Sequence, residues 1–367
     1  MNALVLKKNT TLIILLFINF LFAYKYIERI TNWALPLAIF ITFFSFLILN
    51  KGKILNFLTN KYQILLIIVF CICSFFIWKK IPVENLNVDR WSVITSFWDT
   101  YFSNTYAYFA KSNVGNPPGP MPFYYILALP FYFLKELGYL PLLGIIFFYS
   151  LLLFFKVDAN KRLTILLFTL SSFFNLWEVI SRSNIFFNST LILVSTIYIL
   201  KQEKFNTQSL VISSILIGLT MSTRNVFVLP YIVTFIYILR KKTINFKQFF
   251  ILGTLSIFIF CLTFLPIIYN HLNDFLIMNP FIVQSTFLIP FEYTILFILL
   301  AFGISFLSKN APDVYFYSGL ILFLSIFIYF VYHILHAGFH DAFFNNIIDI
   351  SYFILCTPFL LWYYATE

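Results

Sequence analysis

Residues 84–125 read ENLNVDRWSVITSFWDTYFSNTYAYFAKSNVGNPPGPMPFYY. This stretch decides the fold because it is the longest polar-containing interruption in a chain that is otherwise almost continuously apolar. It holds Asp89, Arg90, Asp99 and Lys111 among many aromatics, and ends in the stiff turn Asn116-Pro117-Pro118-Gly119-Pro120. On both sides long apolar runs recur to the ends of the 367 residues. The chain is 61% hydrophobic and 10% charged, with a mean hydropathy of +0.91. A soluble globular domain carries about 25% charged residues. The composition therefore points to an all-α, polytopic bundle of membrane helices, because helices satisfy their own backbone polar groups in lipid. No repeat, linker or low-complexity tract divides it, so a single membrane domain over 1–367 is expected, with residues 79–120 as its main outer loop.

Apolar runs predict helices near 10–24, 34–50, 62–78, 121–135, 139–155, 162–177, 185–200, 209–222, 226–239, 249–268, 292–308, 314–335 and 347–364. Residues 11–24 follow Lys7-Lys8 as in a signal peptide, but no small-residue cleavage site precedes Tyr24, so they read as a retained first helix. The net charge of +10 needs no nucleic acid to explain it. The basic residues collect in alternate loops, as the positive-inside rule requires. One side holds Lys7, Lys8, Lys51, Lys53, Lys61, Lys156, Lys161, Arg162, Lys201, Lys204, Arg240, Lys241, Lys242, Lys247 and Lys309. The other holds the smaller set Lys25, Arg29, Lys79, Lys80, Arg90, Lys111, Arg182 and Arg224. This asymmetry puts both termini in the cytoplasm and places 79–120, 178–184, Arg224, 269–291 and 336–346 outside, in a cell inner or plasma membrane. The charges demand an odd number of crossings between 120 and 156, where two apolar runs occur. Either 121–135 spans incompletely or one side is misassigned; about 12 crossings, with 11–13 compatible, follow from the runs.

The four cysteines lie inside apolar runs and read as small hydrophobes. Within the outer loop, residues 89–102 predict an amphipathic interfacial helix whose face carries Trp91, Ile94, Trp98 and Tyr101 at helical spacing. Residues 275–291, apolar but broken by Pro280 and Pro290, predict a re-entrant or lid-like segment.

Asp89 has two readings: a carboxylate at the water–lipid boundary that takes a proton from an acceptor hydroxyl, or the N-cap of the interfacial helix. Asp99 is the alternative carboxylate, or a solvated residue of the same helix. Arg224, Arg182 and Arg90 present planar forks suited to a phosphate, or snorkel to headgroups. Arg182 and Arg224 lie in Glu178-Val-Ile-Ser-Arg-Ser-Asn184 and Ser222-Thr-Arg-Asn225, flanked by hydroxyls and amides instead of further lysines. Glu178, Asn116 and His340 complete the set of polar groups assigned to substrate on the outer side. His336 and His340 are four apart, but Gly338 intervenes and no HExxH pattern is present, so polar loop residues are the simpler reading.

An outer-loop Asp, an interfacial helix and a Pro-Pro turn running into Tyr124-Tyr125 together resemble the GT-C superfamily of polyprenyl-phosphate-sugar glycosyltransferases, which includes protein O-mannosyltransferases and aminoarabinose transferases. The resemblance rests on Val88-Asp89-Arg90-Trp91 and on Asn116 through Tyr125, with the following LALPFYFLKELGYLPLLG. Asp89 is followed here by Arg90, where the family often has Glu, and three apolar runs precede the loop instead of one. The resemblance implies that Asp89 is the catalytic carboxylate and that Arg224 contacts donor phosphate. It further implies transfer of a sugar such as mannose from a polyprenyl-phosphate donor to a lipid or glycan acceptor on the outer face. No cofactor is implied, although a divalent metal is compatible with this chemistry. The competing classes are a flippase or transporter of lipid-linked saccharide, which calls for mid-membrane charges, and a polysaccharide polymerase or ligase.

Overall fold

The computed structural model describes residues 3–51, 60–86, 88–286, 290–345 and 347–367. Lys53, assigned above to the inner side, residues 287–289 of the broken outer segment, and Asn346 lie outside the described residues. In chain order the α-helices are α1 Ala3–Glu28, α2 Ala34–Lys51, α3 Asn60–Lys80, α4 Arg90–Phe102, α5 Pro122–Phe133, α6 Tyr139–Phe154, α7 Ala159–Ser171, α8 Phe173–Ser181 and α9 Ile185–Leu200. They continue as α10 Thr207–Met221, α11 Val228–Arg240, α12 Phe246–Ile268, α13 Leu272–Ile277, α14 Pro280–Thr286, α15 Phe291–Ser305, α16 Ala311–Ala337, α17 Phe339–Phe344 and α18 Thr357–Thr366. Short 3-10 turns lie at Val83–Asn85, Ala107–Phe109, Asn225–Phe227 and Ile350–Cys356. The described chain is all-helical.

Among the described residues four helices are long and apolar enough to cross a membrane: Ala3–Glu28, Lys61–Lys80, Phe246–Ile268 and Ala311–Ala337. The pair α7–α8, bent by 55°, makes up to five if it counts as one span. The other apolar helices are 10–17 residues long. At 1.5 Å per residue these reach about 15–26 Å, less than a hydrocarbon core of about 30 Å. Helix length therefore does not carry the twelve full crossings expected from the apolar runs. The difficulty between residues 120 and 156 has a physical origin of the same kind: α5 has 12 residues and a rise of about 18 Å.

The single helix expected over 162–177 is broken at Ser172, whose backbone is extended (ψ 136°). Phe173 N–H, which would otherwise bond back within the helix, donates instead to Asn19 Oδ1 at 2.6 Å. Asn19 in turn donates to Ser45 Oγ at 2.9 Å.

The described chain falls into two compact units. One comprises residues 1–85, 141–190 and 322–367; the other comprises 86–140 and 191–321. In the first, α1 packs against α2, α8 and α18, and Ala23, Ala34 and Ala38 let α1 and α2 approach closely. Tyr26 stacks on Trp177 at 3.6 Å, and the buried Lys25 ammonium donates to Ile348 O at 3.1 Å. In the second, α10 packs on α12, α11 on α15 and α4 on α5. Gly218 makes the α10–α12 contact: a Cβ there would lie 2.7 Å from Ser256 O. At the far end of α11, Arg240 donates to the carbonyls of Ser305, Phe306 and Ser308, closing the C-terminal turn of α15.

Candidate functional site

The helix expected over 89–102 forms as α4, with a buried face differing from the expected one. Ser92, Val93, Ile94, Phe97 and Trp98 are buried, whereas Trp91 and Tyr101 are only half-buried. The face is set by packing on α5: Phe97 stacks on Tyr125 at 3.7 Å and 4°, and Trp98 Nε1 donates to Tyr125 O at 3.2 Å.

Asp89 occupies the N-cap position of α4 but makes no side-chain cap hydrogen bond. Its Oδ2 accepts from Asn116 Nδ2 at 2.8 Å. A tight loop presents that amide. Ser112 N–H donates to Asn116 O at 2.9 Å, Asn116 N–H donates to Ser112 Oγ at 3.1 Å, and Gly115 supplies the positive φ of 86° the turn needs. Ser92 Oγ fixes the loop to α4 by donating to Asn113 Oδ1 at 2.6 Å and accepting from Asn113 N–H at 3.1 Å.

The Pro-rich turn leads into α5, which has Pro122 in its first turn. The orphan N–H groups of that helix start are met by the end of α10. Met121 N–H donates to Thr223 O at 3.1 Å, Tyr124 N–H to Ser222 O at 3.3 Å, and Phe123 N–H to Ser222 Oγ at 3.2 Å. Arg224 follows directly. It is 8% exposed, its backbone is extended, and its guanidinium lies 5.3 Å from the Tyr124 ring centroid. The Tyr125 hydroxyl lies within electrostatic range of both Arg224 and Asp89 and is buried with no hydrogen-bond partner among the described residues. The unit thus brings Asp89, Asn116 and Arg224 into one neighbourhood, with Arg90, half-buried, next to Asp89 in the chain.

Asp99 sits apart on the exposed side of α4, where its Oδ1 accepts from Tyr132 Oη at 2.6 Å. Elsewhere in the same unit, Tyr106 Oη donates to Met278 O at 2.8 Å. Burial first, and then the Asp274 carboxylate, push the Tyr106 phenol well above its ordinary range. Asp274 pairs with His271 Nδ1 at 2.8 Å.

Glu178, Arg182 and His340 belong to the other unit. Glu178 is buried, and its two carboxylate oxygens accept from Ile185 N–H at 3.0 Å and Phe186 N–H at 2.9 Å, capping α9. Arg182 is 2% exposed. It donates to Ile180 O at 2.6 Å, Ile81 O at 3.0 Å and Trp78 O at 3.4 Å, so it ties down carbonyls at the end of α3. His340 is exposed, 3.5 Å from Asp341. Among the described residues no three His, Cys, Asp or Glu side chains gather as a metal would need.

Sequence reasoning passed over Ser222 and Thr223 as mere flanks of Arg224, and passed over Gln284 and Tyr125. The one available signal was Gln284, a lone amide in the apolar run Phe281-Ile-Val-Gln284. No family model, curated protein or solved structure matches the chain.

Proposed function

We propose that the chain is a membrane glycosyltransferase that moves a sugar, such as mannose, from a polyprenyl-phosphate donor to a hydroxyl of a lipid or glycan acceptor on the outer face. The observation that carries this reading is the Asp89 carboxylate held by Asn116 instead of being spent on the start of α4. A carboxylate oriented by an amide is suited to general-base work. The acceptor oxygen attacks the anomeric carbon, the bond from that carbon to the phosphate oxygen breaks, and Asp89 takes the hydroxyl proton. The leaving polyprenyl phosphate gains negative charge, which Arg224 stabilises through its fork. Arg90 is the nearest further cation in sequence. Arg182 and Glu178 are assigned structural duties because they bond backbone groups that end α3 and begin α9, and His340 lies beside Asp341 in the other unit.

The test is transfer from a synthetic polyprenyl-phosphate sugar by purified protein. Asn keeps an amide oxygen that can accept from Asn116 Nδ2 but cannot accept the proton. Asp89→Asn is therefore expected to fold normally and lose about 100-fold or more in rate. Asp99→Asn, which disturbs only the bond to Tyr132, is expected to keep most of the activity. Wild-type transfer by Asp89→Asn would remove the assignment; a dead Asp99→Asn would move it ten residues along the same helix.

A further inference from the structure

The start of α5 and the end of α10 are already joined on one side by the bonds from Met121, Phe123 and Tyr124 to Ser222 and Thr223. A third segment joins them again. Gln284 Nε2 donates to Gly119 O at 2.7 Å, and its Oε1 accepts from Asn225 N–H at 3.2 Å. One side chain thus uses a donor and an acceptor at once. One arm grips the Pro-rich turn that carries Asn116, and the other grips the residue after Arg224. The surroundings are built for this: Val283 on α14 is buried and comes within 3.5 Å of a Cβ built on Gly119, Asn279 Oδ1 caps the start of α14 through Ile282 N–H at 3.1 Å, and Tyr106 anchors the segment further back at Met278 O.

We infer that Gln284 is a positioning residue for the reaction: its amide clamps the Asn116 turn to the Arg224 turn and so fixes the carboxylate relative to the guanidinium. The inference rests on the proposed function. Catalysis that depends on a base and a phosphate-binding cation at a set separation is sensitive to small displacements, and about 1 Å can cost about 100-fold. Neither polar atom of Gln284 is needed to hold α14 itself.

Three variants of the full-length protein in detergent or nanodiscs test it, read by sugar-transfer kinetics and by hydrogen exchange of the peptide holding Asn225. Gln284→Leu removes both arms at similar volume. It is expected to expose the Asn225 amide to faster exchange and to lower kcat by about 10–100-fold, with KM for donor changing by less than about threefold. Gln284→Glu keeps an acceptor for Asn225 N–H but sets a carboxylate against Gly119 O; it is expected to lose activity with Asn225 exchange near wild type. Tyr106→Phe releases the same segment at its other anchor and touches neither turn, so kcat is expected to stay within about twofold. The inference is overturned by unchanged Asn225 exchange in Gln284→Leu, by wild-type kcat in Gln284→Glu, or by equal loss in Tyr106→Phe, which would make general loosening of the segment the cause. Absence of transfer by the wild-type protein would overturn the glycosyltransferase reading instead, and the exchange data would still decide whether the clamp exists.

Discussion

The Asp89 carboxylate and the Asn116 amide meet at 2.8 Å although they stand 27 residues apart. The Ser112–Asn116 loop makes the meeting possible, and it has a direct consequence for the chemistry. Asn116 neutralises no charge; its amide donates to one carboxylate oxygen and so orients the group.

Substitutions at Asn116 should therefore separate orientation from charge. Asn116→Ala is expected to slow transfer by about 10-fold by letting the carboxylate turn. Asn116→Asp should slow it more at neutral pH, because two carboxylates at hydrogen-bond distance cannot both ionise and the pair will hold a proton. Raising the pH should then restore part of the Asn116→Asp activity and none of that of Asn116→Ala. Equal pH profiles for the two variants would show that Asn116 is spacing the loop and nothing else.

The sidedness read from charge can be checked by labelling a cysteine-free background with an impermeant thiol reagent. Lys111→Cys and His340→Cys, both at exposed positions, are expected to label in intact cells. Glu203→Cys and Lys247→Cys, equally exposed, are expected to label only after permeabilisation. Labelling of the second pair in intact cells would reverse the orientation and remove the outer-face assignment of Asp89.

Most helix positions were legible because apolar runs and polar loops alternate strongly: 185–200 was read at its observed bounds, and 89–102 within a residue of α4. The break at Ser172 was not legible, since it depends on Asn19, which is brought to Phe173 only by tertiary packing. The same limit applies to the arginines. Arg182 and Arg224 have similar neighbours in sequence, yet one guanidinium is committed to carbonyls and the other lies over the Tyr124 ring. Residue type shows that a fork is present; only the fold shows what it grips. Crossing number was less legible for a different reason: an apolar run reports burial in lipid or in protein, and several runs here form helices of about three to four turns.

Close packing of α10 on α12 gives a prediction about stability that is independent of function. A methyl at Gly218 would lie 2.7 Å from Ser256 O and 2.8 Å from Ile259 Cβ, so Gly218→Ala must push the helices apart. A loss of about 1–3 kcal/mol is expected, visible as a lower apparent Tm. Gly253, on α12, has nothing within 4 Å of its added Cβ, and Gly253→Ala should be neutral or slightly stabilising by its helix propensity. Equal Tm values for the two variants would contradict the close approach.

Tyr125 offers the sharpest opposition between a packing group and a working one. Its ring is fixed against Phe97 and edge-on to Tyr108 and Tyr124, while its hydroxyl is buried with no partner among the described residues. A hydroxyl in that position costs about 1–3 kcal/mol of desolvation without return. Tyr125→Phe keeps the ring contacts and deletes the cost, so the ligand-free protein is expected to unfold at a higher temperature than wild type. A native sequence that keeps an unreturned hydroxyl within electrostatic range of Arg224 and Asp89 suits a site whose substrate supplies the missing acceptor. Donor binding should then weaken by about 5–10-fold in Tyr125→Phe, the scale of one hydrogen bond, even as Tm rises. A lower Tm with donor affinity unchanged would show that the hydroxyl already has a partner in the resting protein and takes no part in binding.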